Sequence, residues 1–326
     1  MAPPWRKHIA TAALTTAILF WLGACGRFGD SHAAPTPPPP LVVAPSGAQT
    51  ATTETAGDTA PAEDATTTVT EPGGTASTAA ATATAEAVPA FKGHHVVKVL
   101  GQYPHDSTMW TEGLEFFQGR LLESSGIMGR STLRLVDPHS GAAEELLAVA
   151  DDLYAEGVTA IGDQAFQLTY QEQTLLVTSL PDLTPASVAR RANAYDGEGW
   201  GLCYDGSHLV MSNGSSELQF RDPTTFEVTG TVAVTLNGAP IDQLNELECL
   251  GHQILANIWL TSSIVAINPT TGLVEATVDA SSLVPRQFVG SDDEVLNGIA
   301  YNRETGTFWL TGKLWPTMYE VTFVAV

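Results

Sequence analysis

The sequence predicts an all-β chain built from repeats. Three observations carry that prediction: many short β-prone runs broken by Gly, Asn and Asp, few convincing helical stretches, and one segment that recurs five times at nearly constant spacing. The recurring segments are Glu112-Gly113-Leu114, Glu156-Gly157-Val158, Trp200-Gly201-Leu202, Asn245-Glu246-Leu247 and Asn297-Gly298-Ile299, and their first members lie 44, 44, 45 and 52 residues apart. Such a period is the length of one four-stranded propeller blade, so the spacing predicts a five-bladed β-propeller.

The chain has three parts. Residues 1–25 start with Arg6 and Lys7, continue with an apolar run from Ile9 to Ala24, and end in Leu22-Gly23-Ala24-Cys25. The run is shorter than the roughly 20 residues a membrane span needs. Its end resembles a bacterial lipobox, in which the cysteine is acylated, so Cys25 is the expected lipidation site of an exported, lipid-anchored cell-envelope protein. Residues 26–90 are dominated by Ala, Thr, Pro and Gly, including Pro37 to Pro40 and Thr66 to Thr68. Without large apolar side chains they cannot offset the entropy of ordering, and a disordered linker is expected. Residues 91–326 form the expected propeller and catalytic domain.

Within each repeat a turn signal follows the segment: Gln118-Gly119, Gly162-Asp163, Asp205-Gly206, Gly251-His252 and Thr305-Gly306. Each marks a hairpin. Fourteen residues after the first members come Gly126, Tyr170, Gly214 and Trp259, and sixteen after Asn297 comes Lys313. These positions should share one end of paired strands with the first members. If the inner strands line one axis, Glu112, Glu156, Trp200, Asn245 and Asn297 meet at one mouth, joined by Tyr170, Trp259 and Lys313. Carboxylates, amides, a lysine and aromatics converging there have the composition of a ligand pocket rather than of a structural rim. Closure of the ring should pair Val96–Leu100 with Tyr319–Val324 and so remove the exposed edges.

Composition narrows the function. The chain has 326 residues and a formal charge of −22, which repels phosphate backbones and makes nucleic-acid binding improbable. Three cysteines exclude a disulfide-framework fold. Gly197-x-Gly199-x-Gly201 has no helix after it, and there is no G-x-S-x-G, H-E-x-x-H or C-x-x-C, so no nucleotide, serine-hydrolase or zinc site is expected. Cys203 and Cys249 occupy repeat positions that differ by one residue and should point to opposite sheet faces. An oxidising compartment would allow them to bond, but the offset favours two buried thiols.

Tyr103-Pro-His-Asp106, Trp110-Thr-Glu-Gly-Leu114, Gly197-Glu-Gly-Trp-Gly-Leu202, Met211-Ser-Asn-Gly-Ser-Ser216, Leu244-Asn-Glu-Leu-Glu248, Ala256-Asn-Ile-Trp259, Val295-Leu-Asn-Gly-Ile-Ala300 and Thr311-Gly-Lys-Leu-Trp-Pro316 together resemble the plant-type glutaminyl-peptide cyclotransferases, a family also found in bacteria. The resemblance implies a five-bladed propeller that converts the N-terminal glutamine of peptides to pyroglutamate with release of ammonia. It implies no cofactor or metal, peptide substrates, and a monomer. By similarity Glu156 is the general acid/base, Asn245 and Lys313 are its polar partners, and Trp110, Tyr154, Tyr170, Trp200 and Trp259 form an aromatic enclosure. Asn297 is a further candidate donor.

The chain departs from the family pattern in having Glu112 where many relatives have Gln, Trp110 where Phe is expected and Tyr170 where Trp is expected. Glu112 either binds the substrate ammonium or is a solvated rim acid. Aromatic burial should raise the pKa of Glu156 and Lys313 should lower it. Two other functions fit the same rim: a metal-dependent lactonase-like hydrolase holding a cation on Glu112, Glu156, Asn245 and Asn297, and a non-catalytic surface-tethered propeller that binds peptides.

Overall fold

The computed structural model describes residues 88–180 and 183–326. The expected signal segment and Cys25, and the linker as far as residue 87, lie outside the described residues. Among the described residues there is no α-helix, only strands and short 3₁₀ turns. After β1 (Gly93–Pro104) come three separate four-stranded sheets in meander order. These are β2 (Thr111–Phe117), β3 (Arg120–Ser125), β4 (Thr132–Val136) and β5 (Ala143–Ala148); β6 (Ala155–Ile161), β7 (Gln164–Thr169), β8 (Leu175–Ser179) and β9 (Val188–Arg191); and β10 (Leu202–Tyr204), β11 (Leu209–Met211), β12 (Glu217–Arg221) and β13 (Val228–Ala233).

A two-stranded ribbon, β14 (Thr235–Leu236) and β15 (Ala239–Pro240), leads into an eight-stranded sheet. That sheet joins the meander β16 (Leu244–Cys249), β17 (Ile254–Ile258), β18 (Ser263–Ile267) and β19 (Val274–Asp279) to β20 (Leu296–Asn302), β21 (Thr307–Gly312) and β22 (Thr317–Ala325) through β1. β1 runs parallel to β19 and antiparallel to β22, with Val96 opposite Val324 and Val97 opposite Phe323. The expected pairing of the two ends is present, and it covers the edges that both strands would otherwise expose.

Burial falls from the first strand of each sheet outwards: β16 is wholly buried, whereas β5 and β13 are largely exposed. First strands contact one another in the cyclic order β2, β6, β10, β16, β20 and back to β2. Apolar layers fill the spaces between consecutive sheets, such as Leu133 and Leu135 against Val158, and Leu255 and Ile264 against Ile299 and Leu310. Each fully buried Leu or Ile contributes about 1.5–3 kcal/mol. The architecture is all-β and propeller-like.

The second residue of the repeated segment explains how the first strands come so close. A Cβ on Gly157 would lie 2.5 Å from the Trp200 carbonyl oxygen, and one on Gly201 would lie 2.1 Å from that of Asn245. Only glycine permits this approach. In β16 the same position is Glu246, whose carboxyl instead reaches across the axis to accept the Leu114 and Ile299 amides at 3.2 and 2.9 Å.

One expectation is overturned. Cys203 and Cys249 form a disulfide, with Cα atoms 5.4 Å apart. The one-residue offset does turn them to opposite faces, but in stacked sheets the forward face of one meets the rear face of the next. Both sulfurs therefore enter the same apolar layer between the β10–β13 and β16–β19 sheets.

Candidate active site

Each first strand except β10 carries a register shift at its start, between Thr111 and Gly113 in β2, Ala155 and Val158 in β6, Leu244 and Leu247 in β16, and Leu296 and Ile299 in β20. Such bulges bend the strand and re-aim the side chains at the extra residue, and Glu112, Glu156, Asn245 and Asn297 all sit there. Pairing places Thr111 opposite Ser125 and Ala155 opposite Thr169. Gly126, Tyr170 and Trp259 accordingly donate their amides to the carbonyls of Trp110, Tyr154 and Gln243 at the same strand ends.

Glu112 is the hub. It is 1% exposed, and the Lys313 ammonium lies 2.7 Å from each of its oxygens. The Tyr154 hydroxyl donates to it at 3.0 Å, and the Asn297 amide donates at 3.3 Å while also reaching the Thr111 carbonyl at 2.9 Å. Glu156, also buried, hydrogen-bonds to Glu112 through its carboxyl. Two buried carboxyls in contact require a shared proton.

Burial first, then the Glu112 charge, pushes the Glu156 carboxyl well above the ordinary carboxylate range, against the opposing pull of Lys313. Glu112 is also raised by burial, but the Lys313 ammonium and the Tyr154 hydroxyl beside it favour its charged form. The proton of the pair therefore resides on Glu156. The sequence left open whether burial or Lys313 would dominate at Glu156, and burial wins because Lys313 is spent on Glu112. Glu112 is neither solvated nor free to receive a substrate ammonium alone.

The five aromatics stand half-buried around this cluster. Trp200 and Trp259 meet edge to face at 5.5 Å, Tyr154 and Tyr170 lie 5.8 Å apart, and the Lys313 ammonium sits 5.6 Å over the Trp110 ring. The glycines at the matching repeat positions give the rings their seats. A Cβ on Gly126 would lie 2.5 Å from the Tyr154 ring, and one on Gly214 would lie 2.7 Å from that of Trp200. Asn245 is buried, and its carbonyl accepts the Ser212 hydroxyl at 2.7 Å. Among the described residues no hydrogen bond joins its side chain to the Glu112 cluster.

A model of the family described as glutamine cyclotransferase matches residues 74–323. The chain belongs to the glutamine cyclotransferase family. It is 33% identical over 229 residues to a glutaminyl-peptide cyclotransferase of Arabidopsis thaliana, covering 69% of this chain and 70% of the relative. Among solved structures it resembles the glutaminyl cyclase of Myxococcus xanthus, with a TM-score of 0.64 and 36% identity over 72% of this chain and all of that one.

Two acids at this site were not singled out in the sequence. Glu198 accepts the Trp200 indole N–H at 3.1 Å, the Gln171 amide at 2.9 Å and the Tyr170 hydroxyl, and its charge helps to raise Glu156. It lies two residues before a repeat member, in a loop outside the periodic pattern. Glu246 lies under the cluster, and burial holds its carboxyl well above the usual range. Its signal was visible as the one break in the glycine at the second repeat position.

Proposed function

We propose that this chain cyclises the N-terminal glutamine of peptides to pyroglutamate on a five-bladed propeller, with Glu156 as general acid and base. The cyclic contacts of the first strands support the blade count. The observation that carries the reading is the Glu156–Glu112–Lys313 cluster, in which a protonated carboxyl stands beside an ion pair inside an aromatic mouth.

Cyclisation is intramolecular, and well-oriented reactions of this kind reach effective molarities of about 10⁵–10⁸ M. The α-amine, with a pKa of about 7.7–8.0, supplies an appreciable neutral fraction near neutral pH. Its nitrogen bonds to the side-chain amide carbon, and the carbonyl electrons move to oxygen. Glu156 then delivers its proton to the amide nitrogen, the C–N bond breaks, and ammonia leaves. The carboxylate so formed takes the extra proton from the ring nitrogen, which restores the resting state. Such a relay contributes roughly 10²–10⁴-fold.

Lys313 holds Glu112 ionised, and with Asn245 it is the candidate donor to the developing oxyanion, a contact of about 2.7–4 kcal/mol. Trp110, Tyr154, Tyr170, Trp200 and Trp259 enclose the glutamine side chain. A cation on Glu112, Glu156, Asn245 and Asn297 would have to compete with the Lys313 ammonium already on Glu112, which favours cyclisation over the lactonase-like reading. The Cys203–Cys249 bond fits an oxidising compartment and supports an exported protein tethered through Cys25.

The test is incubation of the protein with a peptide beginning in glutamine, followed by mass spectrometry. Loss of one ammonia with wild-type protein and none with Glu156→Gln is expected. An unchanged peptide mass with folded wild-type protein would overturn the proposal.

A further inference from the structure

Behind the site lies a second buried cluster that the chemistry above does not use. The His105 ring is 1% exposed. Its Nδ1 lies 2.6 Å from the Trp315 carbonyl oxygen and 3.3 Å from the Thr311 hydroxyl, and its Nε2 lies 2.9 Å from Glu123 Oε1. A carbonyl only accepts, so Nδ1 carries a proton. Glu123 is wholly buried and is held at about 2 by His105 and Arg134 against the cost of burial, so its oxygens also only accept, and Nε2 carries a proton too. His105 is an imidazolium. Arg134 balances the cluster by donating to Glu123 at 2.5 Å and to Asp106 at 3.0 Å.

The cluster joins the two loops that carry one corner of the site. His105 donates its amide to the Pro316 carbonyl at 3.0 Å, and Leu314 donates to Met109 at 2.7 Å. Lys313 immediately precedes the Leu314 contact on one loop, and Trp110, whose ring it faces, immediately follows the Met109 contact on the other. Glu123 Oε1 also accepts the Thr111 hydroxyl at 2.8 Å, and Thr111 precedes Glu112. Three site residues from opposite ends of the folded chain thus share one brace.

We infer that His105, protonated between the Trp315 carbonyl and the Glu123 carboxylate, is a positioning residue that holds Lys313, Trp110 and Glu112 in register for catalysis. Loss of its Nδ1 proton turns the Trp315 contact into a repulsion between lone pairs and frees the loop that carries Lys313. The groups facing the ring are Glu123 from β3, Arg134 from β4, Thr311 from β21 and the Trp315 carbonyl. Asp106 stands behind Arg134. Glu123, first by charge and then by its hydrogen bond, raises the His105 pKa above its ordinary value, against burial and Arg134. The brace therefore persists to higher pH than an ordinary imidazolium would allow and fails as pH rises through the His105 pKa.

This inference rests on the cyclotransferase reading, and its test separates the two. Nitrogen-15 NMR of the wild-type histidines should show both His105 ring nitrogens protonated at neutral pH. kcat for a glutamine-initial peptide is then measured for wild type and His105→Gln from about pH 6 to 10, and the ratio of the two cancels titration of the substrate amine. The ratio should be on the order of tenfold or more below the His105 pKa, with KM little changed, and should fall towards one above it.

Should His105→Gln not fold, Thr311→Val takes its place. By removing one acceptor from Nδ1 it should lower the His105 pKa and shift the alkaline loss of kcat to lower pH. A neutral His105 ring at pH 7, a pH-independent ratio, or a Thr311→Val profile identical to wild type would overturn the inference while leaving cyclisation standing. No turnover by wild type would instead remove the functional reading.

Discussion

Glutamine at position 156 separates the role of the carboxyl from its cost to folding. The Glu156 side chain is buried and burial raises its carboxyl well above the ordinary range, so on this account Glu156→Gln replaces a neutral hydroxyl with a neutral amide of nearly equal volume. The substitution can still donate to Glu112. Folding stability should therefore change by less than about 1 kcal/mol. Proton transfer is lost, and with it about 10²–10⁴-fold in rate, or roughly 3–5 kcal/mol of barrier at 1.36 kcal/mol per tenfold. The assay is ammonia release from a saturating glutamine-initial peptide, read beside a calorimetric melt of the same sample. Turnover within about threefold of wild type would refute the relay. A stability loss of several kcal/mol would instead show that residue 156 was ionised.

Reducing Cys203–Cys249, which spans 46 residues, should cost about 4 kcal/mol on the loop-entropy scale, visible as a lower Tm in reductant. Gly201→Ala forces a methyl against the Asn245 carbonyl and should cost at least about 1–3 kcal/mol in chemical denaturation. Glu246→Gln keeps one acceptor but turns an NH₂ towards the other amide, which should cost about 1–3 kcal/mol, whereas Glu246→Leu strands both the Leu114 and Ile299 amides at about 1–3 kcal/mol each. Glu115 is raised by burial to about 7, and Glu156, Glu246 and Glu248 are also raised. The native state then holds more protons than the unfolded chain above about pH 4.5, so stability falls as pH rises through this range. Glu123, depressed to about 2, sets the acid side, since stability is lost as pH falls from the unfolded carboxylate range towards that value. Melts across pH should therefore peak near about pH 5.

Much of this was legible in the sequence because repetition makes distant residues comparable. The five segments marked the first strands, and in all but β10 their leading residues are the ones the bulges aim at the mouth. The pairing of β1 with β22 followed from the need to cover two edges. Other features depend on what stacks against what. The bond between Cys203 and Cys249 was misread because strand alternation within one sheet was applied to residues that meet across two. The partnership of Lys313 with Glu112, which leaves the proton on Glu156, needs distances that spacing does not supply. The His105–Glu123–Arg134 brace sets a loop residue against a cross-strand pair of β3 and β4, with no periodic signal to connect the loop to the pair. Glu246 could have been found, since a charged residue had replaced a glycine required by close approach.

The protonation of Glu156 is the claim on which the chemistry stands, and infrared difference spectroscopy at neutral pH addresses it directly. Wild type minus Glu156→Gln should show the carbonyl stretch of a protonated, hydrogen-bonded carboxyl that disappears with the substitution. A difference spectrum showing only loss of carboxylate bands would mean that Glu156 is ionised at rest and that the relay cannot begin as described.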